Sequence, residues 1–326
     1  MQTPMISTPP PIGPRSQKTS AKLQLISAWM LSLSFLTMIP MEYASLDWEK
    51  TSAGTWRIVE GDHLSLTLVL AYGLWALWTV VGTGMFLVAG IVNRFTYERS
   101  LTDITWRDLI YFLAWVQCLS LLLSLPFELF PGAGGSVSLL YPYLPHLIIL
   151  GLGLILFRHR LHLLGFRRPN SYGWMVIVII LLYVVIFFQW IDQWVTHPVA
   201  RYFSLELDSW REESISQGIH QAGTSGWAAL TGQIVMLGII GPIAEEMLFR
   251  GALQEVLRRR LGVWVSVLLS SVLFALFHVD VALLAPLLVL GLILGSLKAF
   301  FRSLWAPILF HIVNNTTSVI MELLHR

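Results

Sequence analysis

The chain has 326 residues, of which 56% are hydrophobic and only 12% are Asp, Glu, Lys or Arg, and its mean hydropathy is +0.69. A soluble domain carries about 25% charged residues, so a globule with a water-solvated surface is excluded and an all-α, polytopic transmembrane helix bundle is expected. The net charge of +2 gives no electrostatic footprint for nucleic acid, and a single cysteine, Cys118, rules out an intrachain disulfide or a cysteine-ligated cluster.

Residues 1–21 begin MQTPMISTPPPIGPRSQKTS, rich in Pro, Ser and Thr without apolar periodicity, and are expected to be a disordered cytoplasmic tail. Crossing roughly 30 Å of hydrocarbon takes about 20 apolar residues. Nine stretches approach that length: 22–40, 64–92, 108–130, 143–157, 172–195, 228–248, 262–278, 281–300 and 304–323. The fourth is short, so eight spans are the alternative. The acidic connections 41–63 and 197–226 are expected to be solvated loops. No internal repeat is evident, which weakens a transporter built from inverted halves.

Cytoplasmic connections carry the basic excess. With the N-terminus inside, 16 of the 21 Lys and Arg fall on inner segments, including Arg94, Arg107, Arg160, Arg258 and Arg302. That division predicts an N-in arrangement.

An ionisable group in hydrocarbon costs roughly 2.5–3.5 kcal/mol even on the lenient insertion scale, so intramembrane polar groups mark function. In the first five spans, Glu128, His146 and Asp192 lie close to span ends and are read as structural or interfacial; Gln189 neighbours Asp192. The last four spans differ. GPIAEEMLFRGAL places Glu245 and Glu246 inside an apolar helix, with Arg250 four residues after Glu246 in the favourable orientation for a pair. Glu246 and Arg250 are thus expected to lock to each other, leaving Glu245 free for proton exchange. FALFH sets Phe274 one turn before His278, and LFHIVNN sets His311 and Asn315 on one helical face. Glu245 and His278 stand at equal distance from the turn near Leu261. His311 reaches their depth only if that hairpin projects about 10 Å further than the turn near Arg302, at 1.5 Å per residue.

These residues resemble the CPBP family of intramembrane proteases, which includes CAAX prenyl endopeptidases of the Ras-converting type and bacteriocin-processing or Abi proteins. The family's EExxxR, FxxxH and HxxxN motifs read here as Glu245, Glu246 and Arg250; Phe274 and His278; and His311 and Asn315. RGALQ and SLWAPILFH add to the likeness, which covers about 226–323. LLGFRRP resembles the linker of bacterial members, implying a multi-pass protein of a bacterial plasma membrane. The resemblance divides the chain into the tail, an N-terminal transmembrane region (22–171) of unassigned role, and a protease domain (172–326).

The resemblance implies an endopeptidase acting on a membrane-anchored or hydrophobic peptide at the lipid bilayer. Glu245 and His278 would activate water, His311 and Asn315 would stabilise the oxyanion, and Glu246, Arg250 and Phe274 would support them. Glu245, His278 and His311 also form a conceivable zinc set, but no HExxH is present and a glutamate-activated water needs no ion, so the metal-free reading is preferred. Intramembrane Glu and His also suit a proton-coupled transporter, and a non-catalytic immunity or scaffold protein would keep the fold without the chemistry.

Overall fold

Residues 14–61, 64–95, 97, 100–129, 141–187 and 190–324 are described by a computed structural model. Helix α1 (Pro14–Ala44) starts inside the stretch read as a disordered tail, so residues 14–21 are helical; residues 1–13, Gln189 and the side chain of Glu128 lie outside the described set. A two-stranded antiparallel hairpin, β1 (Leu46–Lys50) and β2 (Trp56–Glu60), follows where a plain loop was expected. It is the one departure from an all-α bundle among the described residues, and its LDWEK and WRIVE strands leave most side chains exposed.

Helices α2 (Leu66–Val92) and α3 (Trp106–Leu129) complete an N-terminal three-helix unit with α1. Leu66, Leu70, Leu74 and Leu77 make an exposed apolar stripe on α2, suited to lipid. Inside the unit, where apolar packing gains nothing over lipid, small hydroxyl residues join the helices. Ser20 Oγ donates to the Ala89 carbonyl at 2.8 Å, and Ser32 Oγ to that of Ile110 at 2.9 Å. Thr105 and Asp108 form a reciprocal capping box at the start of α3. The same Asp108 accepts from Arg160 at 2.7 Å, and both side chains are buried, so α3 is fastened to the turn after α4 (Leu144–Leu156).

Short α5 (Leu161–Leu164) leads to α6 (Tyr172–Phe187), a π-helical stretch at Asp192–Thr196, α7 (His197–Phe203) and α8 (Trp210–Ser225). The acidic 197–226 connection is therefore mostly helical. Asp192 accepts from Thr196 at 3.0 Å within its own turn, a structural role.

One continuous helix of 35 residues, Trp227–Leu261, follows. It comprises α9 (Trp227–Val235), α10 (Gly241–Glu246) and α11 (Gln254–Leu261), joined by π-helical stretches at Met236–Ile240 and Met247–Leu253. At 1.5 Å per residue it would span about 52 Å, so it outruns the bilayer, and the expected end at residue 248 is corrected to 261. It stops at Gly262, whose φ of +80° a side chain would disfavour. Helices α12 (Val263–Phe277), α13 (Leu284–Phe301) and α14 (Trp305–Leu324) complete the chain.

The first π-helical stretch has a cause in the sequence. Pro242 has no N–H to give to the carbonyl four residues back, at Gly238. Gly241 N–H meanwhile bonds the Met236 carbonyl, five residues back, which releases the carbonyl of Leu237 as well. Both freed carbonyls are met from α14: Asn315 Nδ2 donates to Leu237 and Thr316 Oγ1 to Gly238, each at 3.3 Å. Within a bilayer such repair is required, because no bulk water is available.

Charged pairs gather at two opposite ends. At one, Arg57 binds Glu206 (2.8 Å) and Asp208 (3.2 Å). At the other, Arg259 pairs with Asp103, Lys298 with Glu255 (3.2 Å), and Arg167 donates to the Arg302 carbonyl (2.6 Å). Segments assigned to one side by the Lys/Arg division thus pair with one another at each end. Leu304 packs on Gly251, so α11 extends beyond the start of α14 by about ten residues, roughly 15 Å.

Candidate active site

The π-helical turn after Glu246 lies at the centre of the apolar core, among Phe112, Phe157, Met247, Phe274 and Phe310. Glu246 and Arg250 are both 0% exposed and pair at 2.9 Å, as the i, i+4 spacing predicts. Arg250 also donates to the Gly291 carbonyl on α13 at 3.1 Å and stacks its guanidinium 4.2 Å from the centroid of Phe274. One buried arginine thereby ties together the long helix, α12 and α13. Leaving either partner of such a pair uncompensated costs about 3–5 kcal/mol.

His311 on α14 joins this cluster: its Nδ1 is 3.0 Å from Oε1 of Glu246. Glu246, already paired with Arg250, accepts, so Nδ1 carries the hydrogen and Nε2 faces away. His278 is fixed in the same sense, with Nδ1 donating to the Phe274 carbonyl at 2.7 Å. Phe274 separates and orients the two rings, its centroid lying 4.6 Å from that of His278 and 5.8 Å from that of His311.

Glu245 faces the other way. Its Oε1 lies 3.1 Å from Nε2 of His146, its Oε2 lies 3.8 Å from Nε2 of His311, and it interacts electrostatically with His278. Oε2 has no hydrogen-bond partner among the described residues. The Glu245 and His146 side chains remain 17% and 24% exposed, so the site opens on the side where α4 meets α10. His146, read from the sequence as structural or interfacial, instead lies within hydrogen-bond distance of Glu245. Its position 99 residues before Glu245 leaves no spacing signal. A glycine permits the close approach of α4 to the long helix: a Cβ at Gly153 would overlap Met247 Sδ.

Asn315 is placed one turn beyond His311, with one amide hydrogen on the Leu237 carbonyl. The structure thus brings Glu245, His278, His311 and Phe274 together with Glu246 and Arg250 behind them, and assigns Asn315 a share in holding the π-helical stretch. From above, the Arg211 guanidinium of α8 donates to the His278 carbonyl at 2.6 Å, capping the end of α12.

The donor chemistry of Glu245, His278 and His311 is of a type zinc takes, with both Nδ1 groups engaged in the manner of orienting partners. Their arrangement does not match it: among the described residues no group of three His, Cys, Asp or Glu is disposed to hold a metal ion.

Residues 227–317 match the family described as Type II CAAX prenyl endopeptidase Rce1-like. A relative in Bacillus subtilis (strain 168), named "Putative membrane peptidase YdiL", is 34% identical over 90 residues, which make up 28% of this chain and 37% of the relative. The chain thus spans little more than a third of the relative's length. No solved structure matches. The matched segment contains Glu245, Glu246, Arg250, Phe274, His278, His311 and Asn315, and excludes His146. With several helices apolar and long enough to cross a membrane, the chain is a multi-pass integral membrane protein, and its residues 227–317 are similar to the Rce1-like CAAX prenyl endopeptidase family of membrane proteases.

Proposed function

We propose that this protein is an intramembrane endopeptidase that hydrolyses a peptide bond of a membrane-associated or lipidated substrate, with Glu245 activating the water. The observation that carries this is the contrast between two adjacent carboxylates. Each has an Oε2 without a hydrogen-bond partner among the described residues, but that of Glu246 is sealed in the fully buried pair with Arg250, whereas that of Glu245 lies 3.8 Å from Nε2 of His311 on a side chain that is 17% exposed.

A water between Glu245 Oε2 and the two imidazoles would give a proton to the carboxylate as its oxygen attacks the substrate carbonyl carbon. The proton then passes to the amide nitrogen as the C–N bond breaks, yielding a carboxylate and an amine, with His278 as relay. His311, when protonated, presents Nε2–H to the oxyanion with Glu246 as its buried counter-charge, and the second amide hydrogen of Asn315 is available to the same oxygen. No metal is needed for these steps. We further propose that the basic end carrying Arg258, Arg259 and Arg260 faces the cytoplasm of a bacterial cell.

Comparative membrane proteomics of cells carrying wild type or Glu245→Ala tests the reading. A precursor should accumulate in the mutant alone, and its absence would favour a non-catalytic scaffold. Purified wild-type protein is expected to cleave that precursor without bound zinc and after chelation. Stoichiometric zinc with loss of activity on chelation would overturn the metal-free route.

A further inference from the structure

The N-terminal transmembrane region has no counterpart in the family match, which begins at residue 227, yet it delivers a side chain to the site. His146 stands in the first turn of α4, and its ring lies between Gly241 and Glu245, bonded through Nε2 to Oε1 at 3.1 Å. The carboxylate is the acceptor if ionised, which makes Nε2 the hydrogen-bearing nitrogen. Nδ1 is buried with no partner among the described residues. An orphaned buried acceptor costs less than an orphaned buried donor, so the neutral Nε2–H tautomer fits both ends of the ring.

The geometric consequence concerns Glu245. A carboxylate with two free oxygens turns about its terminal torsion, which is broad and roughly two-fold. Holding Oε1 leaves Oε2 directed toward Nε2 of His311. We propose that His146 is a positioning residue for the reaction. It is carried on α4 outside the family-matched segment, it fixes Oε1 of Glu245, and it thereby aims Oε2 at the water that the two family histidines share. The region of unassigned role then completes the site, and the close packing of α4 on the long helix at Gly153 sets its distance.

This inference rests on Glu245 as the base, so the experiment separates the two. Full-length protein is reconstituted in liposomes and assayed on the precursor that accumulates in Glu245→Ala membranes, with His146→Leu, His146→Gln and His146→Asn compared. Gln presents an amide N–H at about the reach of Nε2, whereas Asn presents it only at about the reach of Nδ1. His146→Leu and His146→Asn should lower kcat by roughly 10- to 100-fold, the scale of a small misplacement of a reacting group, with KM within about threefold. His146→Gln should recover to within about fivefold of wild type. Should the Leu variant fail to fold, the Gln and Asn pair carries the comparison, with melting curves matching wild type. Wild-type kcat in His146→Asn, or equal impairment of Gln and Asn, would overturn the positioning role while leaving Glu245 as the base. No Glu245-dependent cleavage would overturn both readings.

Discussion

Glu245 and Glu246 are consecutive residues of one helix, yet they face two regions with opposite design. Toward α13 and α14 the interior is sealed: Glu246 and Arg250 are fully buried, and between them they hold His311, Phe274 and the Gly291 carbonyl. Toward α4 the interior is open: the Glu245 and His146 side chains retain exposure. A buried charge is tolerated where it is paired and hydrogen-bonded. In the proposed reaction the sealed region sets geometry, and the open region is left for chemistry.

The contrast breaks first if the sealed pair proves dispensable for folding. Arg250→Met, which leaves Glu246 without its cation, should cost about 3–5 kcal/mol, a large share of a typical total of about 5–15 kcal/mol. Thermal unfolding in detergent measures it, and an unchanged midpoint would contradict the lock.

A second sealed pair, Asp108 with Arg160, joins the N-terminal unit to α4. Arg160 also donates to the Ser100 carbonyl at 3.0 Å, so Asp108→Asn should cost somewhat less, about 3 kcal/mol, the lower end for a broken buried pair. Hydrogen exchange should show the loosening on α3 and α4 before it reaches α13.

The open region is sharpened by Gly153→Ala. The new Cβ would overlap Met247 Sδ, so that Met247 repacks or α4 shifts from the long helix, at a cost of about 1–3 kcal/mol. Where α4 shifts, His146 moves off Glu245 and cleavage should fall more than stability. Equal losses would mean that α4 only packs.

The smallest effect belongs to a solvated pair far from both regions. Glu206, outside the membrane spans, is pushed up by burial, but hydrogen bonds from Thr55 and Arg57 outweigh this and hold it below the ordinary glutamate value. Its folded form therefore binds a proton less readily than its unfolded form. The contribution is present at neutral pH and is lost as pH falls below the usual glutamate range. Exchange of the Trp56 amide, which bonds the Ser204 carbonyl, should quicken in that acid window while cleavage per folded molecule stays independent of Glu206→Gln.

Much of this was legible in the sequence because helices obey local rules. Apolar run lengths located the helices, and equal spacing from the turn at Gly262 brought Glu245 and His278 to one depth. The projection needed to bring His311 level is provided by α11, whose three arginines Arg258, Arg259 and Arg260 end the long helix. What stayed hidden depends on contacts between distant segments. His146 lacks any spacing relation to Glu245, and the β-hairpin is steadied by Ser204 and Glu206, about 150 residues away. The π-helical stretch before Gly241 was half visible: Pro242 announces a missing donor, but only the fold shows that Asn315 and Thr316 repair it. That repair gives Asn315 structural work that its motif spacing alone does not reveal.

The most direct test of the division between the two carboxylates is the cleavage rate of Glu245→Gln protein per folded molecule, measured on the accumulated precursor beside its melting curve. The expected result is a fall of about 10²–10⁴-fold, the usual contribution of a general base, with an unchanged melting midpoint. Cleavage near the wild-type rate, or a melting midpoint lowered as far as in Arg250→Met, would contradict the account.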